Sequence, residues 1–226
     1  AKGVKLRWQA LNVDFPTFEH ERNFVELMRA LWQGQQVLGH DSPVGRYAAL
    51  QLAPYVNENI PLLYVGFGQK SLEHAGHIYD GAHLHTFMSD QALGDAVAAF
   101  RRGEAAVGRS SGKLWSVFAT VHQPSDTDYL KMIVARLATY LQIPGYGEAL
   151  VTVNGWDMET LNSFRSAAAV KNIGGAIDSV ADFSQLEAIE KIIPEHWRPA
   201  AVGDAKTCAK RWLDQFKAGA DGLIIH

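Results

Sequence analysis

Residues 61–87 read PLLYVGFGQKSLEHAGHIYDGAHLHTF, and the fold can be inferred from their pattern. The run 61–65 is almost wholly apolar, a turn with two glycines follows it, and an amphipathic helix pattern begins at Ser71. A second apolar run covers 81–87. Runs of this kind suit strands that are buried on both faces of a parallel sheet. A strand, a turn, a helix and another strand in this order are typical of an α/β fold with parallel strands.

The same unit recurs toward the C-terminal end of the chain. Each unit has a short apolar run and an amphipathic helix, which a capping residue or a turn precedes. The predicted strands are 61–65, 81–87, 114–121 and 222–225, and the helices that precede or follow them start at Ser71, after Ser89 and Asp90, after 124–126, and at Asp204. We therefore expect four parallel strands, with helices packed against them.

Three elements are predicted upstream of residue 60. Apolar and polar residues alternate over 4–9, which predicts a short strand that starts at Val4. Apolar residues at helical spacing over 24–31, followed by Gly34, predict a helix with a glycine cap. Turn residues between two short apolar runs predict a hairpin-like excursion over 35–53.

Composition and charge exclude several classes of protein. The 226 residues are 47% apolar and 20% charged with a net charge of -3, which excludes disorder. No apolar run is long enough to span a membrane, and residues 1–20 contain no targeting signal, so we expect a soluble cytoplasmic protein. The chain has no basic block, which argues against a nucleic-acid partner and a membrane partner. The single cysteine, Cys208, fits a reducing compartment and is expected to be a packed thiol.

The segment 142–200 is predicted to be an irregular helical insertion without a clear parallel strand. Helical patterns cover 157–170 and the residues before Pro194, and 144–147 form a turn. Ser184 and Glu187 have the spacing of a capping box at the start of the second of these helices. No shift in composition marks a second domain, so residues 1–226 are expected to form one domain.

The order of these motifs resembles the luciferase-like monooxygenase superfamily. Residues 64–76 and 79–87 are similar to its fifth and sixth strand regions, and 201–224 are similar to its final helix and eighth strand. Residues 136–141, with Gly145-Tyr146-Gly147 and Asn154-Gly155-Trp156-Asp157, resemble the subgroup that uses coenzyme F420.

This resemblance implies a (β/α)8 TIM barrel with a long insertion after the seventh strand. Nothing in the chain corresponds to the family's first three strands, the fourth is also not found, and the helix after strand eight is missing. An ordinary barrel of this type takes about 250 residues. The sequence therefore predicts an incomplete barrel, that is, a fragment of a longer enzyme.

The turn Gly66-Phe67-Gly68-Gln69-Lys70-Ser71 is the strongest candidate for a binding site. Two glycines after a buried strand let backbone N–H groups approach an anion, and the start of a helix adds positive potential. Lys70 adds a charge and Ser71 a hydroxyl. The alternative is an ordinary turn between a strand and a helix. In the family that the chain resembles, the corresponding turn contacts the cofactor's phosphate.

Histidines at strand ends are the candidates for chemistry. His83 and His85 are spaced to leave the same face of a strand, and His85 is the candidate to contact a flavin-like ring or a substrate. His83 is expected to be a hydrogen-bonded interior histidine. The His-x-His pair, with His122 and His226, also occurs in metal-dependent hydrolases, but no carboxylate faces it, so no metal is predicted.

Asp80 and several polar residues of the insertion are further candidates, either for structural roles or for contact with a ligand. Asp80 is expected to close the turn before its strand. Arg165 and Lys171, near Asn154 and Trp156 in the insertion, either meet an anionic substrate or form a solvated helix face.

The resemblance implies an oxidoreductase that acts on a small molecule with coenzyme F420, or alternatively with FMN. The cofactor would perform the redox chemistry while the protein positions it. One alternative is a non-catalytic scaffold that associates with a second copy or another chain through exposed strand edges. A metal-dependent barrel hydrolase is the other.

Overall fold

The computed structural model describes residues 5–53 and 60–226. The strands are β1 (Val37–Ser42), β2 (Gly45–Leu50), β3 (Leu63–Gly66), β4 (Gly81–Leu84), β5 (Lys113–Phe118), β6 (Thr120–His122), β7 (Ala201–Gly203) and β8 (Gly222–Ile225). The helices are α1 (Lys5–Ala10), α2 (Phe18–Trp32), α3 (Gln69–Ile78), α4 (Asp90–Ala106), α5 (Asp126–Tyr129), α6 (Arg136–Gln142), α7 (Tyr146–Asn154), α8 (Met158–Ser166), α9 (Ala168–Lys171), α10 (Ile177–Val180), α11 (Phe183–Glu190) and α12 (Ala205–Lys217). A π-helical turn covers Leu130–Ala135, and a 3-10 turn covers Glu195–Trp197.

The four predicted parallel strands form one sheet in the order β3-β4-β5-β8. All three pairings are parallel, so the carboxyl ends of these strands lie at one edge of the sheet. The predicted hairpin is also confirmed, because β1 and β2 pair antiparallel. Among the described residues, no strand pairs with the outer edge of β3 or of β8.

One face of the sheet is buried under helices. Tyr64, Leu84, Leu114 and Phe118 are all buried on this face, against helices that include α3, α4 and α12. Cys208 packs in this layer with Phe118, which confirms the prediction of a packed thiol.

Helices α3 and α4 touch through glycines. A Cβ atom built on Gly103 would lie 1.8 Å from the carbonyl oxygen of Glu73, and one on Gly76 would lie 2.2 Å from the carbonyl oxygen of Phe100. Because no real Cβ contact is this short, the separation of the two helices depends on these two glycines.

The other face of the sheet is open. Val65 is 43% exposed and Trp115 is 37% exposed on this face, which we call the inner face. A cavity of about 400 Å³ lies against it, lined by Pro61, Leu63, Asp80, His83, Lys113, Trp115 and Ile224. The inner face is therefore apolar and accessible within the described part of the chain.

A second core lies among the helices between β6 and β7. It contains the apolar side chains of the π-helical turn and of the helices that follow it, and Trp197 is its largest fully buried residue. Phe87, which follows β4, joins this core and so connects the helices to the sheet.

The structure differs from the sequence prediction at three points along the chain. Leu6 and Trp8 lie in helix α1 rather than in a strand, and Val4 lies outside the described residues. Strand β7, which pairs parallel with β6, lies between the predicted insertion 142–200 and Asp204 and is not among the predicted strands. The capping box of α11 uses Asp182 and Gln185 in place of Ser184 and Glu187.

No helix in residues 5–53 or 60–226 is long and apolar enough to cross a membrane.

Candidate functional site

The candidate residues meet at the carboxyl edge of the parallel sheet. The turn 66–71 follows β3, His85 follows β4, and His226 follows β8. Ligands of parallel α/β sheets bind outside this edge, because loops and helix N-termini converge there. Helices α6 and α7 bring further side chains to the same place.

The turn 66–71 leaves the start of α3 open. Gly68 is the N-cap residue, and no side chain caps the helix. The backbone N–H groups of Gln69, Lys70 and Ser71 donate to no backbone acceptor in the described part of the chain. Lys70 is exposed and forms no ion pair there. The turn therefore offers an anion three unpaired N–H donors and a positive charge.

The two glycines of the turn have different surroundings. A Cβ atom on Gly68 would meet no atom closer than the Ser71 hydroxyl, at 4.0 Å, so the space in front of the helix is open. A Cβ atom on Gly66 would lie 2.6 Å from the ring of Tyr64, so this glycine makes room for that ring. Burial raises the pKa of Tyr64, and a hydrogen bond with the Ser71 side chain partly offsets the rise. Ser71 therefore interacts with the protein as well as with the open space.

Phe67 connects the turn to His85. The Phe67 ring lies 4.8 Å from the His85 ring and 5.5 Å from the Tyr146 ring, measured between centroids. Tyr140 lies 4.9 Å from His85 and stacks on Tyr146 at 5.2 Å. We call Phe67, His85, Tyr140 and Tyr146 the aromatic cluster. The two predicted sites, the turn and His85, are thus parts of one site.

A hydrogen bond fixes the tautomer of His85, and burial keeps its ring neutral. Its Nδ1 lies 2.5 Å from the carbonyl oxygen of Thr86, which can only accept, so Nδ1 carries the proton. Nε2 then accepts a hydrogen bond from the Tyr146 hydroxyl. Burial lowers the pKa of His85 to about 4; the Thr86 carbonyl opposes this shift, while His226 and Arg136 add to it. His85 is therefore neutral at pH 7.

His226 and Arg136 complete the site. The His226 Nε2 lies 2.9 Å from the Thr86 hydroxyl, and the pKa of His226 is lowered by burial and by the charge of Arg136. Arg136 is the first residue of α6 and is exposed, one helical turn before Tyr140. No role is predicted from the sequence for Arg136, Tyr140 or Tyr146, although all three lie in the motifs that carry the family resemblance.

His83 and His85 do not act as a pair. Strand β4 ends at Leu84, so the strand alternation that placed both side chains on one face does not extend to His85. His83 lines the cavity on the inner face, whereas His85 contacts the helices. The predicted hydrogen bond of His83 is not found within the described residues. These residues also contain no group of three or more His, Cys, Asp or Glu side chains that could hold a metal ion.

Several other predicted residues have structural roles. Arg165 pairs with Glu148 at 2.5 Å, which lowers the pKa of Glu148 to about 2, so Arg165 is not free to meet a substrate. Trp156 stacks on Trp197, with ring centroids 4.9 Å apart. Asp80 has a structural role, as predicted, but its carboxylate joins neighbouring elements and not its own turn: it accepts a hydrogen bond from the Leu62 N–H, just before β3, at 2.8 Å.

Asn154 connects α7 to the segment after β4. Its side-chain oxygen accepts from the Ser89 N–H at 2.7 Å, and its amide nitrogen donates to the Phe87 carbonyl at 3.1 Å. Phe87 has a φ of 59°, in the left-handed region that non-glycine residues rarely adopt. Asn154 therefore stabilises an unusual backbone conformation next to the candidate site.

A comparison with protein families finds one match over most of the chain. The family described as luciferase-like monooxygenase matches residues 17–222.

Solved structures show the same fold. The F420-dependent tetrahydromethanopterin reductase from Methanopyrus kandleri matches with a TM-score of 0.76 and 16% identity, over 99% of this chain and 65% of that one. A riboflavin lyase with modified FMN matches with a TM-score of 0.60 and 15% identity, over 96% of this chain and 55% of that one. An F420-dependent secondary alcohol dehydrogenase matches with a TM-score of 0.55 and 15% identity, over 94% of this chain and 58% of that one. The chain thus spans less than two thirds of each of these structures.

Proposed function

Because the chain belongs to the luciferase-like monooxygenase family, we propose that it contains the phosphate-binding part of a flavin- or deazaflavin-dependent oxidoreductase. The turn 66–71 would hold the cofactor's phosphate, and the aromatic cluster would lie beside the reacting part of the ligand. The observation that carries this proposal is the uncapped start of α3, with unpaired N–H groups next to Lys70.

The residues present fit such a cofactor. A phosphate needs several donors at one point, and the N–H groups of 69–71 and the Lys70 ammonium supply them. The open space in front of Gly68 admits the phosphate without a steric conflict. When bound, a flavin or deazaflavin supplies the hydride or oxygen chemistry.

The chain's own residues bind and orient the ligand and exclude water from it. Phe67, Tyr140 and Tyr146 surround the His85 ring with apolar surface. Neutral His85 accepts a hydrogen bond from the Tyr146 hydroxyl at its Nε2 and so fixes the orientation of that hydroxyl. His85 is in this way a positioning residue for Tyr146, and His85 remains our candidate for contact with the cofactor ring or the substrate.

Coenzyme F420 is the proposed cofactor, with FMN as the alternative. Two of the similar structures are described as F420-dependent, and the motifs around Tyr140 and Tyr146 resemble the F420-using subgroup. The substrate is proposed to be a small molecule.

The test is a binding titration with F420 and with FMN, each oxidised and reduced, followed by fluorescence. Lys70→Ala should weaken binding about tenfold, because it removes one charge-assisted contact to phosphate. Lys206→Ala is the matched control: Lys206 also lies in the first turn of a helix, α12, but Asp204 caps that helix. The proposal fails if neither cofactor binds, or if the two variants bind equally well.

The second candidate is association through strand edges. The outer edges of β3 and β8 have no partner strand in the described part of the chain, and Val65 and Trp115 leave apolar surface on the inner face. Exposed edges and apolar faces favour pairing with another chain. Light scattering after size exclusion tests this: a monomer at micromolar concentration contradicts it, and a dimer that Val65→Lys dissociates supports it.

A further inference from the structure

The geometry points to a second anion-binding position, at the guanidinium of Arg136. We propose that Arg136 binds a carboxylate or phosphate group of the ligand that occupies the site beside the aromatic cluster. This inference rests on the proposed function, since it takes that site to be where a ligand lies. It goes further by assigning a second anionic group to the ligand.

The backbone before Arg136 is unusual and determines the direction of its side chain. Residues Leu130–Ala135 form a π-helical turn, which contains one more residue than the α-helical turn it replaces. Short π segments interrupt otherwise regular helices and are frequent at functional sites. Leu137, Ala138 and Leu141 are buried in the core, Tyr140 is half-buried against it, and Arg136 is exposed. Residues four apart lie on the same helix face, so Arg136 lies on the face that contacts His85 through Tyr140.

The charge of Arg136 has no counter-ion in the described residues. The arginines that form ion pairs there are Arg29, Arg46, Arg101, Arg102, Arg109, Arg165, Arg198 and Arg211. Arg22 is also without such a partner, but it lies on an exposed part of α2. Arg136 differs because its charge acts on two partly buried histidines, His85 and His226, and disfavours the protonation of both.

These surroundings select an anion. With His85 neutral and Arg136 cationic, the side chains beside the aromatic cluster carry a net positive charge at pH 7. A guanidinium binds carboxylate and phosphate through two parallel N–H···O bonds. His226 can donate a further hydrogen bond to the same anion once it is protonated. An anion at this position would neutralise Arg136 and so make protonation of His226 easier.

The anionic group has two sources that an experiment can distinguish. It belongs either to the cofactor, whose phosphate would then reach beyond the turn 66–71, or to the substrate. FMN and riboflavin differ by one phosphate, so the pair reports on the cofactor's anion. Inorganic phosphate alone reports on an anion that no cofactor carries.

The experiment follows the imidazole resonances of His85 and His226 by NMR in the full chain, with and without inorganic phosphate, FMN and riboflavin. In the wild type, phosphate should raise the pKa of His226. Arg136→Gln should raise that pKa without any anion, and should weaken the phosphate effect at least tenfold. Arg22→Gln is the matched control and should behave as the wild type does. A response to phosphate that Arg136→Gln leaves unchanged, or no response in the wild type, overturns the inference.

The variants separate this inference from the proposed function. If FMN shifts the backbone amides of 69–71 but no added anion affects His226, the Arg136 inference fails while the proposed function stands. If phosphate acts on His226 through Arg136 and no cofactor shifts those amides, the proposed function fails and the anion position stands. If FMN acts on His226 through Arg136 and riboflavin does not, the cofactor supplies the anion. If inorganic phosphate raises the pKa of His226 through Arg136 and FMN does not, the cofactor does not supply the anion, which leaves the substrate as its source.

Discussion

Lowering the pH from 7 to 5 should destabilise this protein by about 2 kcal/mol through His85 alone, because the folded chain holds His85 neutral. The pKa of His85 is about 4 in the folded state and 6.5 for an ordinary histidine. Between these values the unfolded chain binds a proton that the folded chain does not. The stability contribution is therefore fully present above about pH 6.5, and it is lost as the pH falls toward 4. By pH 4 the loss amounts to about 3 kcal/mol.

The assay is urea unfolding, followed by tryptophan fluorescence at pH 7, 6 and 5, on the wild type and on His85→Gln. The variant cannot titrate at this position, so its stability should fall by about 2 kcal/mol less between pH 7 and 5. The carboxyl groups with lowered pKa, such as Glu148 at about 2, titrate mainly below this window. His226→Gln serves as the control for the other histidine of the site, whose pKa is also lowered.

Two results would refute the reasoning about His85. One is an equal loss of stability in the wild type and in His85→Gln over this pH range. The other is an imidazole titration by NMR that places the pKa of His85 near 6.5, which would mean that the ring is solvated and is not held by Thr86 and Tyr146.

Two further predictions concern the scaffold that positions the site. Gly103→Ala should destabilise the protein by about 3 kcal/mol or more, since the new Cβ would overlap the Glu73 carbonyl. Gly94→Ala in the same helix is the control: its Cβ would meet its nearest atom at 3.8 Å, and the variant should gain up to about 1 kcal/mol of stability. Thermal unfolding of the two variants checks this, and equal melting temperatures would contradict it. Asn154→Ala should lower the free energy of unfolding by about 1 to 3 kcal/mol, because it removes the partner of the Ser89 N–H. Asn162→Ala, on the exposed face of α8, is the control and should stay within about 0.5 kcal/mol of the wild type. Urea unfolding that finds both changes equally mild would argue against the role of Asn154.

Local patterns in the sequence were sufficient to predict the sheet. Each of the four strands is a short apolar run next to a helix, and the caps of α4 and α12, Ser89 and Asp204, lie at the predicted positions. The alternation over 4–9 predicts a strand where the structure has α1, since three alternations are too few to distinguish the two periods. Strand β7 was missed because it has only three residues and depends on pairing with the equally short β6.

The candidate site could be predicted only in part. The turn 66–71 was found because glycines after a strand and before a helix are a local signal. The contacts of His85 with Tyr140 and Tyr146 join segments about 60 residues apart, and no local pattern encodes them. The π-helical turn before Arg136 also has no signature in the apolar spacing, so the direction of this side chain could not be inferred from the sequence.

We propose that the turn 66–71 holds the phosphate of a flavin-type cofactor. The most direct test is an amide NMR spectrum of the full chain, with F420, with FMN and with riboflavin, that follows the backbone N–H groups of Gln69, Lys70 and Ser71. We predict that F420 or FMN shifts all three resonances and that riboflavin, which has no phosphate, leaves them in place. Unchanged resonances with both phosphate-bearing cofactors, or equal shifts with riboflavin, would contradict the claim.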